Sequence, residues 1–129
     1  YHATMPTDAL TKFCAAMIET ERYGFDKARA QQQALGTGVR ELLRGKGIKS
    51  VAAKGFEAPG VVVSYTDDSD IHTGKKFLQV GLQIAAGVPL QCDEPDDFQT
   101  FRIGLFGLDK LQNVDRTVAA LEKALNKIL

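Results

Sequence analysis

The feature that most constrains the fold is a change in the spacing of apolar residues along the chain. Helical spacing dominates both ends, with Leu10, Cys14 and Met17 in one stretch and Leu121 and Leu125 in another. Between these ends lie short runs rich in β-branched residues, which favour strands. This order predicts an α+β fold in which helices cover a small sheet in a two-layer sandwich.

The sequence predicts eight elements in the order α-α-β-β-α-β-β-α. Helices are predicted over residues 7–22 and 25–44, each with apolar residues on one face. Residues 67–70 offer N-caps for a third helix that ends near Gly81, and Asp109 is the predicted cap of the last helix. Strands are predicted over residues 48–53, 61–65, 82–85 and 101–106, with a solvated loop over residues 92–99.

Composition and charge limit which classes of protein this chain can belong to. With 129 residues, 44% of them hydrophobic, the chain is long enough to bury its own core, so residues 1–129 are predicted to form a single domain. Sixteen basic residues balance sixteen acidic ones, which argues against a nucleic-acid partner. No apolar run is long enough to cross a membrane. We therefore expect a cytoplasmic protein that binds a small molecule or another protein.

The spacing of cysteine, histidine and glycine residues does not match the known metal-binding or phosphate-binding motifs. Cys14 and Cys92 are far apart with no C-x-x-C pair, so reduced thiols, buried or in a loop, are predicted rather than a zinc or redox site. His2 and His72 lack metal-ligand spacing to each other or to either cysteine. No metal site is therefore predicted. Three glycine-containing segments also depart from the known nucleotide-phosphate loops: residues 36–38, 45–47 and 74–76.

Arg102 invites a more specific hypothesis because it lies between Phe101 and Ile103 in a predicted strand. A guanidinium beside apolar neighbours requires an anionic partner, since it cannot lose its charge by deprotonation. Its planar fork suits a carboxylate. From the residues alone, an internal ion pair or an outward-facing arginine on an edge strand explains this position equally well.

Three segments resemble one enzyme family. They are Phe-Arg-Ile-Gly-Leu-Phe-Gly over residues 101–107, Asn-Val-Asp-Arg over residues 113–116 with the helix that follows, and Tyr-His-Ala-Thr-Met-Pro over residues 1–6. The chain resembles the C-terminal part of class V, fold-type I aminotransferases of the alanine–glyoxylate and serine–pyruvate type, which depend on pyridoxal 5'-phosphate. The resemblance spans the chain and implies the small C-terminal domain of these enzymes, with a mainly antiparallel sheet.

The resemblance also implies roles for individual residues. Arg102 matches the arginine that binds the α-carboxylate of the substrate, while Tyr1 and Thr4 match residues that hydrogen-bond the cofactor phosphate of the neighbouring subunit in a homodimer. An ordinary turn before a helix also explains Tyr1 and Thr4. The chain departs from many relatives by having Ala86-Gly87 instead of paired glycines, and by a long acidic loop up to Asp97.

The resemblance further implies that the catalytic lysine lies in a domain outside this sequence. Residues 1–24 are expected to join that cofactor-binding domain, and residues 25–129 to form the core of the small domain. The whole enzyme would move an amino group from alanine or serine to a 2-oxo acid such as glyoxylate or pyruvate. This chain alone, with no catalytic residue of its own, is expected to be inactive.

Three alternatives remain open at this point. The chain also fits an aminoethylphosphonate transaminase or a cysteine desulfurase of the same class, the latter through Cys92, although the motif around a desulfurase cysteine is missing. The third is a stand-alone ligand-binding module with no enzymatic role.

Overall fold

Two long helices open the part of the chain that the structure, a computed structural model, describes, which is residues 4–129. Helix α1 spans Thr7–Tyr23 and helix α2 spans Phe25–Gly45. Gly24 separates them with a φ of 99°, a backbone conformation that favours glycine, and its N–H donates to the carbonyls of Thr20 and Glu21. The two predicted N-terminal helices are confirmed, each to within one residue.

A three-stranded antiparallel sheet follows, in the order β1-β3-β2. Strand β1 is Val61–Tyr65, β2 is Ala85–Ala86 and β3 is Thr100–Gly104. The central strand β3 pairs with β1 on one side and with the much shorter β2 on the other. The expected antiparallel sheet is therefore confirmed, and the predicted strand 61–65 is found with the same bounds.

Two predicted strands differ from the structure. Residues 48–53 form no strand, and only an isolated bridge pairs Ser50 with Ser64, because the chain turns away through Gly55 at a φ of 91°. The strand predicted over 82–85 is reduced to Ala85–Ala86, since the N–H of Leu82 still bonds to the carbonyl of Phe77 in the preceding helix. A β-branched composition was therefore not sufficient to form a strand at either position.

The third predicted helix is two short helices, α3 over Ser69–His72 and α4 over Lys75–Gln79. Gly74, with a φ of 80°, separates them. Asp68 caps α3 as predicted, because its carboxylate accepts the N–H groups of Asp70 and Ile71 at 2.9 and 3.0 Å.

The predicted cap of the last helix, Asp109, is wrong. Asp109 lies inside a separate short helix, α5 over Leu108–Leu111, and the last helix, α6, spans Val114–Ile128 after Asn113. The physical reason is Gly107, whose φ of 110° lets the chain turn into a helix directly after the strand.

The core lies between one face of the sheet and helices α2 and α6, which confirms the two-layer sandwich. We call this the inner face of the sheet. Side chains alternate along β3, so Phe101 and Ile103 point into the core while Arg102 points to the opposite, outer face. The clustered core residues are Leu35, Val39, Leu43, Val62, Ile71, Phe77, Phe101, Ile103, Leu105, Leu111, Leu121 and Leu125.

Arg40 is buried in α2 and ties this helix to the segment that leads into β1. Its exposed fraction is 9%, and its guanidinium donates to the hydroxyl of Ser50 at 3.1 Å and to the carbonyls of Ala58 and Val61 at 3.0 and 3.1 Å. Desolvation lowers the pKa of Arg40, while the nearby carboxylate of Glu57 raises it. The guanidinium therefore holds both ends of the segment 50–61 to helix α2.

Replacing Arg40 with methionine is expected to destabilise the protein by about 1–3 kcal/mol, because three part-buried oxygen acceptors lose a charged donor. The measurement is the free energy of unfolding in urea. Arg44→Met is the matched control, since Arg44 is exposed on the same helix, and it should change stability by less than about 0.5 kcal/mol. Equal effects of both substitutions would contradict this role of Arg40.

Gly36 weakens the predicted helix locally, and the packing of helix α2 explains why residue 36 is glycine. A Cβ atom at Gly36 would lie 2.8 Å from the carbonyl oxygen of Pro59 and 2.9 Å from its Cα. The backbone of α2 can therefore approach the segment before β1 only because residue 36 has no side chain.

Gly36→Ala is expected to destabilise the protein by about 1–3 kcal/mol, although alanine is the better helix former, because the methyl group meets backbone atoms. Gly45→Ala provides the control, since nothing lies within 4 Å of a Cβ there. That change should be neutral or stabilise by up to about 1 kcal/mol. Thermal or urea unfolding of both variants tests the pair, and a stable Gly36→Ala protein would refute the close approach.

Candidate functional site

Arg102 lies in the middle of the central strand, on the outer face of the sheet. Its pairing partners are Val63 on β1 and Ala85 on β2, so these three side chains share that face. None of the clustered core residues lies on the outer face. The side chain of Arg102 is partly exposed. The location of Arg102 within a strand, next to Phe101 and Ile103, is therefore as predicted.

The guanidinium of Arg102 has a single protein partner in the described chain. Its Nε donates to the carbonyl of Ala86 at 2.9 Å. Within residues 4–129, neither of its terminal nitrogens has a hydrogen-bond partner, and no carboxylate lies within 4.0 Å of it. The internal ion pair is therefore wrong for the described residues; Arg102 does face outward, but β3 is the central strand of the sheet and not an edge strand.

This geometry suits the binding of a planar oxyanion. A guanidinium that is anchored through Nε keeps two parallel N–H groups available, which match the two oxygens of a carboxylate. The exposed ring of Phe106 lies at the Gly104 end of β3, close to Gly60, whereas the guanidinium is held on the Ala86 side.

The segment that follows β2 packs tightly against β3. The ring Nδ1 of His72 lies 2.7 Å from the carbonyl oxygen of Thr100, and the N–H of Gly87 donates to the carbonyl of His72 at 3.1 Å. An open cavity of about 590 Å³ begins at His72 and Gly87 and is lined further by Pro89, Glu94 and other residues of the acidic loop. The spacing of His72 argues against a metal ligand and indicates no particular partner, while the departure from paired glycines at Ala86-Gly87 falls directly beside it.

Glu94 organises the acidic loop that borders this cavity. Its carboxylate accepts the N–H groups of Leu90, Gln91 and Cys92 at 2.5, 2.8 and 2.7 Å. These bonds, the one from Cys92 first, lower the pKa of Glu94 to about 2. The predicted loop over 92–99 is confirmed, and a carboxylate at its centre gives it a defined backbone.

A second cavity, of about 610 Å³, lies near the Tyr65 end of the sheet. The rings of Tyr65 and Phe98 meet there edge to face. The charged groups Lys76 and Asp68 in its wall form a salt bridge with each other, and Asp68 also caps α3. Lys49 and two further acidic residues of the wall have no salt-bridge partner among the described residues, so this cavity also presents charge of both signs to a ligand.

Of the two residues predicted to bind the cofactor, the structure describes only one. Tyr1 lies outside the described residues, while Thr4 is exposed just before α1. Helix α1 buries none of its residues. Its apolar side chains Phe13 and Met17 are 64% and 50% exposed, so the amphipathic face predicted from the sequence has no covering layer in the described chain.

Other chemistry finds little support in the described part of the chain. Cys14 and Cys92 are free and exposed, which confirms the absence of a bridge between them and shows that neither is buried. Desolvation raises the pKa of the Cys92 thiol, and the Glu94 carboxylate raises it further, so the reactive thiolate is disfavoured. Residues 4–129 contain no cluster of three potential metal ligands, and none of their helices is long and apolar enough for a membrane span.

The amide signals of residues 90–92 should titrate with a midpoint near pH 2 in NMR spectra, because their acceptor Glu94 has a pKa lowered to about 2 from 4.5. Since the folded pKa is depressed, the contribution of this carboxylate to stability is fully present above pH 4.5 and is lost as pH falls through 2. Glu94→Gln should remove this transition, whereas Asp96→Asn, which alters an exposed neighbour, should keep it. A midpoint near 4.5 in the unmodified protein would contradict the assignment.

No protein-family model matches the chain, and no curated protein matches it at a significant level.

Proposed function

We propose that this chain is the substrate-carboxylate-binding domain of a pyridoxal-phosphate-dependent aminotransferase of class V. The whole enzyme would transfer an amino group from alanine or serine to a 2-oxo acid such as glyoxylate or pyruvate. The observation that carries the proposal is the guanidinium of Arg102, anchored through Nε with both terminal nitrogens without a partner in residues 4–129. Amino acids and 2-oxo acids share the carboxylate that such a group binds.

In this proposal Arg102 binds and orients the substrate. Two parallel N–H···O bonds fix the plane of the carboxylate and hence the direction of the α-carbon that carries the amino group. Orientation of this kind raises the rate of a reaction without any proton transfer by the arginine itself. The domain therefore completes a substrate pocket, and it provides no catalytic acid or base.

The cofactor is assigned mainly to residues outside the described chain. Thr4, exposed before α1, has a hydroxyl group of the kind that donates to a phosphate oxygen. Pyridoxal phosphate, when bound, withdraws electrons from the substrate carbon. Within this chain we assign Thr4, together with Tyr1, to the cofactor phosphate across a homodimer interface.

Helix α1 supports the idea of an additional domain. A lone amphipathic helix of 17 residues is marginally stable in water, and its stability in proteins comes from packing of its apolar face. In the proposal this face, formed by Leu10, Phe13, Met17 and Ile18, packs on the cofactor-binding domain. We further propose a cytoplasmic location, which suits two free exposed thiols.

The nearest rival, a cysteine desulfurase, is disfavoured because the motif around a desulfurase cysteine is missing at Cys92. A desulfurase requires a nucleophilic thiolate, whereas the surroundings of Cys92 raise the pKa of its thiol. The aminotransferase proposal needs no reactive cysteine, so alkylation of the whole enzyme at Cys92 should leave its turnover largely intact.

In the whole enzyme, Arg102→Ala is expected to raise KM and lower turnover for every amino donor, with a loss in kcat/KM of about 30- to 1000-fold from the missing charged hydrogen bonds. Arg102→Lys should lose less, because it keeps the charge but not the fork. Arg116→Ala, at an exposed position of α6, serves as the control and should behave as wild type. Unchanged kinetics for Arg102→Ala with all donors would end the proposal.

A further inference from the structure

We propose that His72 is a positioning residue for Arg102, acting through the segment Ala86-Gly87. The inference rests on the proposed role of Arg102 in binding a carboxylate and deepens it. The imidazole and the main-chain carbonyl of His72 hold this segment beside β3, and the carbonyl of Ala86 in turn holds the guanidinium.

The edge of the sheet at β2 is weakly held by its own ladder. Strand β2 has only two residues, Ala85 and Ala86, both exposed, so it gains little from side-chain packing. A two-residue ladder is a weak restraint on an edge strand. The position of the Ala86 carbonyl must therefore depend on contacts outside the ladder.

His72 provides those contacts from both its ring and its backbone. Its Nδ1 is 2.7 Å from the carbonyl oxygen of Thr100, and because a carbonyl can only accept, Nδ1 carries the proton. Its own carbonyl accepts the N–H of Gly87 at 3.1 Å. One residue thus joins β3 to the chain that continues from β2.

Gly87 shows how closely the segment after β2 approaches β3 and His72. A Cβ atom at this position would lie 2.1 Å from the carbonyl oxygen of Thr100 and 2.7 Å from Nδ1 of His72. Any side chain at residue 87 would therefore displace the segment or break the bond between His72 and Thr100. This explains a glycine at residue 87 without requiring a second glycine at residue 86.

The contacts of His72 with Thr100 and Gly87, which we call the His72 clamp, act on the guanidinium through Ala86. Nε of Arg102 donates to the carbonyl of Ala86, the residue directly before Gly87. A fixed Ala86 carbonyl fixes the plane of the guanidinium and so preorganises its terminal nitrogens for a carboxylate. Loss of the His72 clamp would keep the charge of Arg102 but would allow the guanidinium to adopt several orientations.

The test compares His72→Leu, which removes the donor, with His72→Asn, whose side-chain amide can donate from a position similar to that of Nδ1. NMR of the labelled chain would follow hydrogen exchange at Nε of Arg102, with Arg116 as an exposed reference. We expect exchange at Arg102 to be at least about fivefold slower than at Arg116 in wild type, and about fivefold faster in His72→Leu than in wild type. His72→Asn should restore slow exchange.

Gly87→Ala provides a second variant that leaves His72 intact. It should accelerate exchange at Nε of Arg102 in the same way, which keeps the test informative if His72→Leu fails to fold. Wild-type exchange at Arg102 in a folded His72→Leu or Gly87→Ala protein would overturn the proposal. Failure of His72→Asn to restore slow exchange in a folded protein would also count against it.

Acetate titration separates this inference from the proposed function. Saturable shifts at Nε of Arg102, weaker in His72→Leu and restored in His72→Asn, would support both. Slow exchange that depends on His72, without any acetate response at Arg102, would keep the clamp but count against carboxylate binding. Acetate binding that is equal in all variants would leave Arg102 as the anion site and reject the positioning role of His72.

Discussion

The structure depends on the alternation of side chains along the central strand β3, which gives the strand one apolar face and one outer face. Because successive side chains of a strand point to opposite faces, Phe101 and Ile103 enter the core while Arg102 between them faces outward. A shift of register by one residue would bury the guanidinium and expose both apolar side chains. The core that stabilises the fold therefore also determines on which side of the sheet an anion can be bound.

The orientation of Arg102 depends on the weakest part of the sheet. Strand β2 is a two-residue edge, yet its Ala86 carbonyl is the only partner of the guanidinium in the described chain. His72 contacts this edge through its ring, which bonds the carbonyl of Thr100, and through its own carbonyl, which accepts the N–H of Gly87. The guanidinium is thus placed by the central strand and held by a short segment beside it.

Much of the fold could be predicted from local pattern, and the candidate site only in part. The periodicity of residues 7–44 and 114–128 marks the long helices, and a β-branched run marks β1, because these signals extend over many residues. The sequence also singled out Arg102, since a lone guanidinium between apolar residues needs an explanation. The contacts of His72 were not predictable, because its partners Gly87 and Thr100 are 15 and 28 residues away.

By itself, the sequence determined the helix-rich two-layer architecture and the presence of an arginine in an apolar strand, because both follow from side-chain period and residue chemistry. Only the tertiary structure decided that residues 48–53 form no more than an isolated bridge to β1, between Ser50 and Ser64, and that Arg40 holds this region to helix α2. It alone also decided that Arg102 lies opposite the core with unpaired terminal nitrogens among the described residues. The physical reason is that a polar group is satisfied or left free by atoms distant in sequence, which no local pattern records.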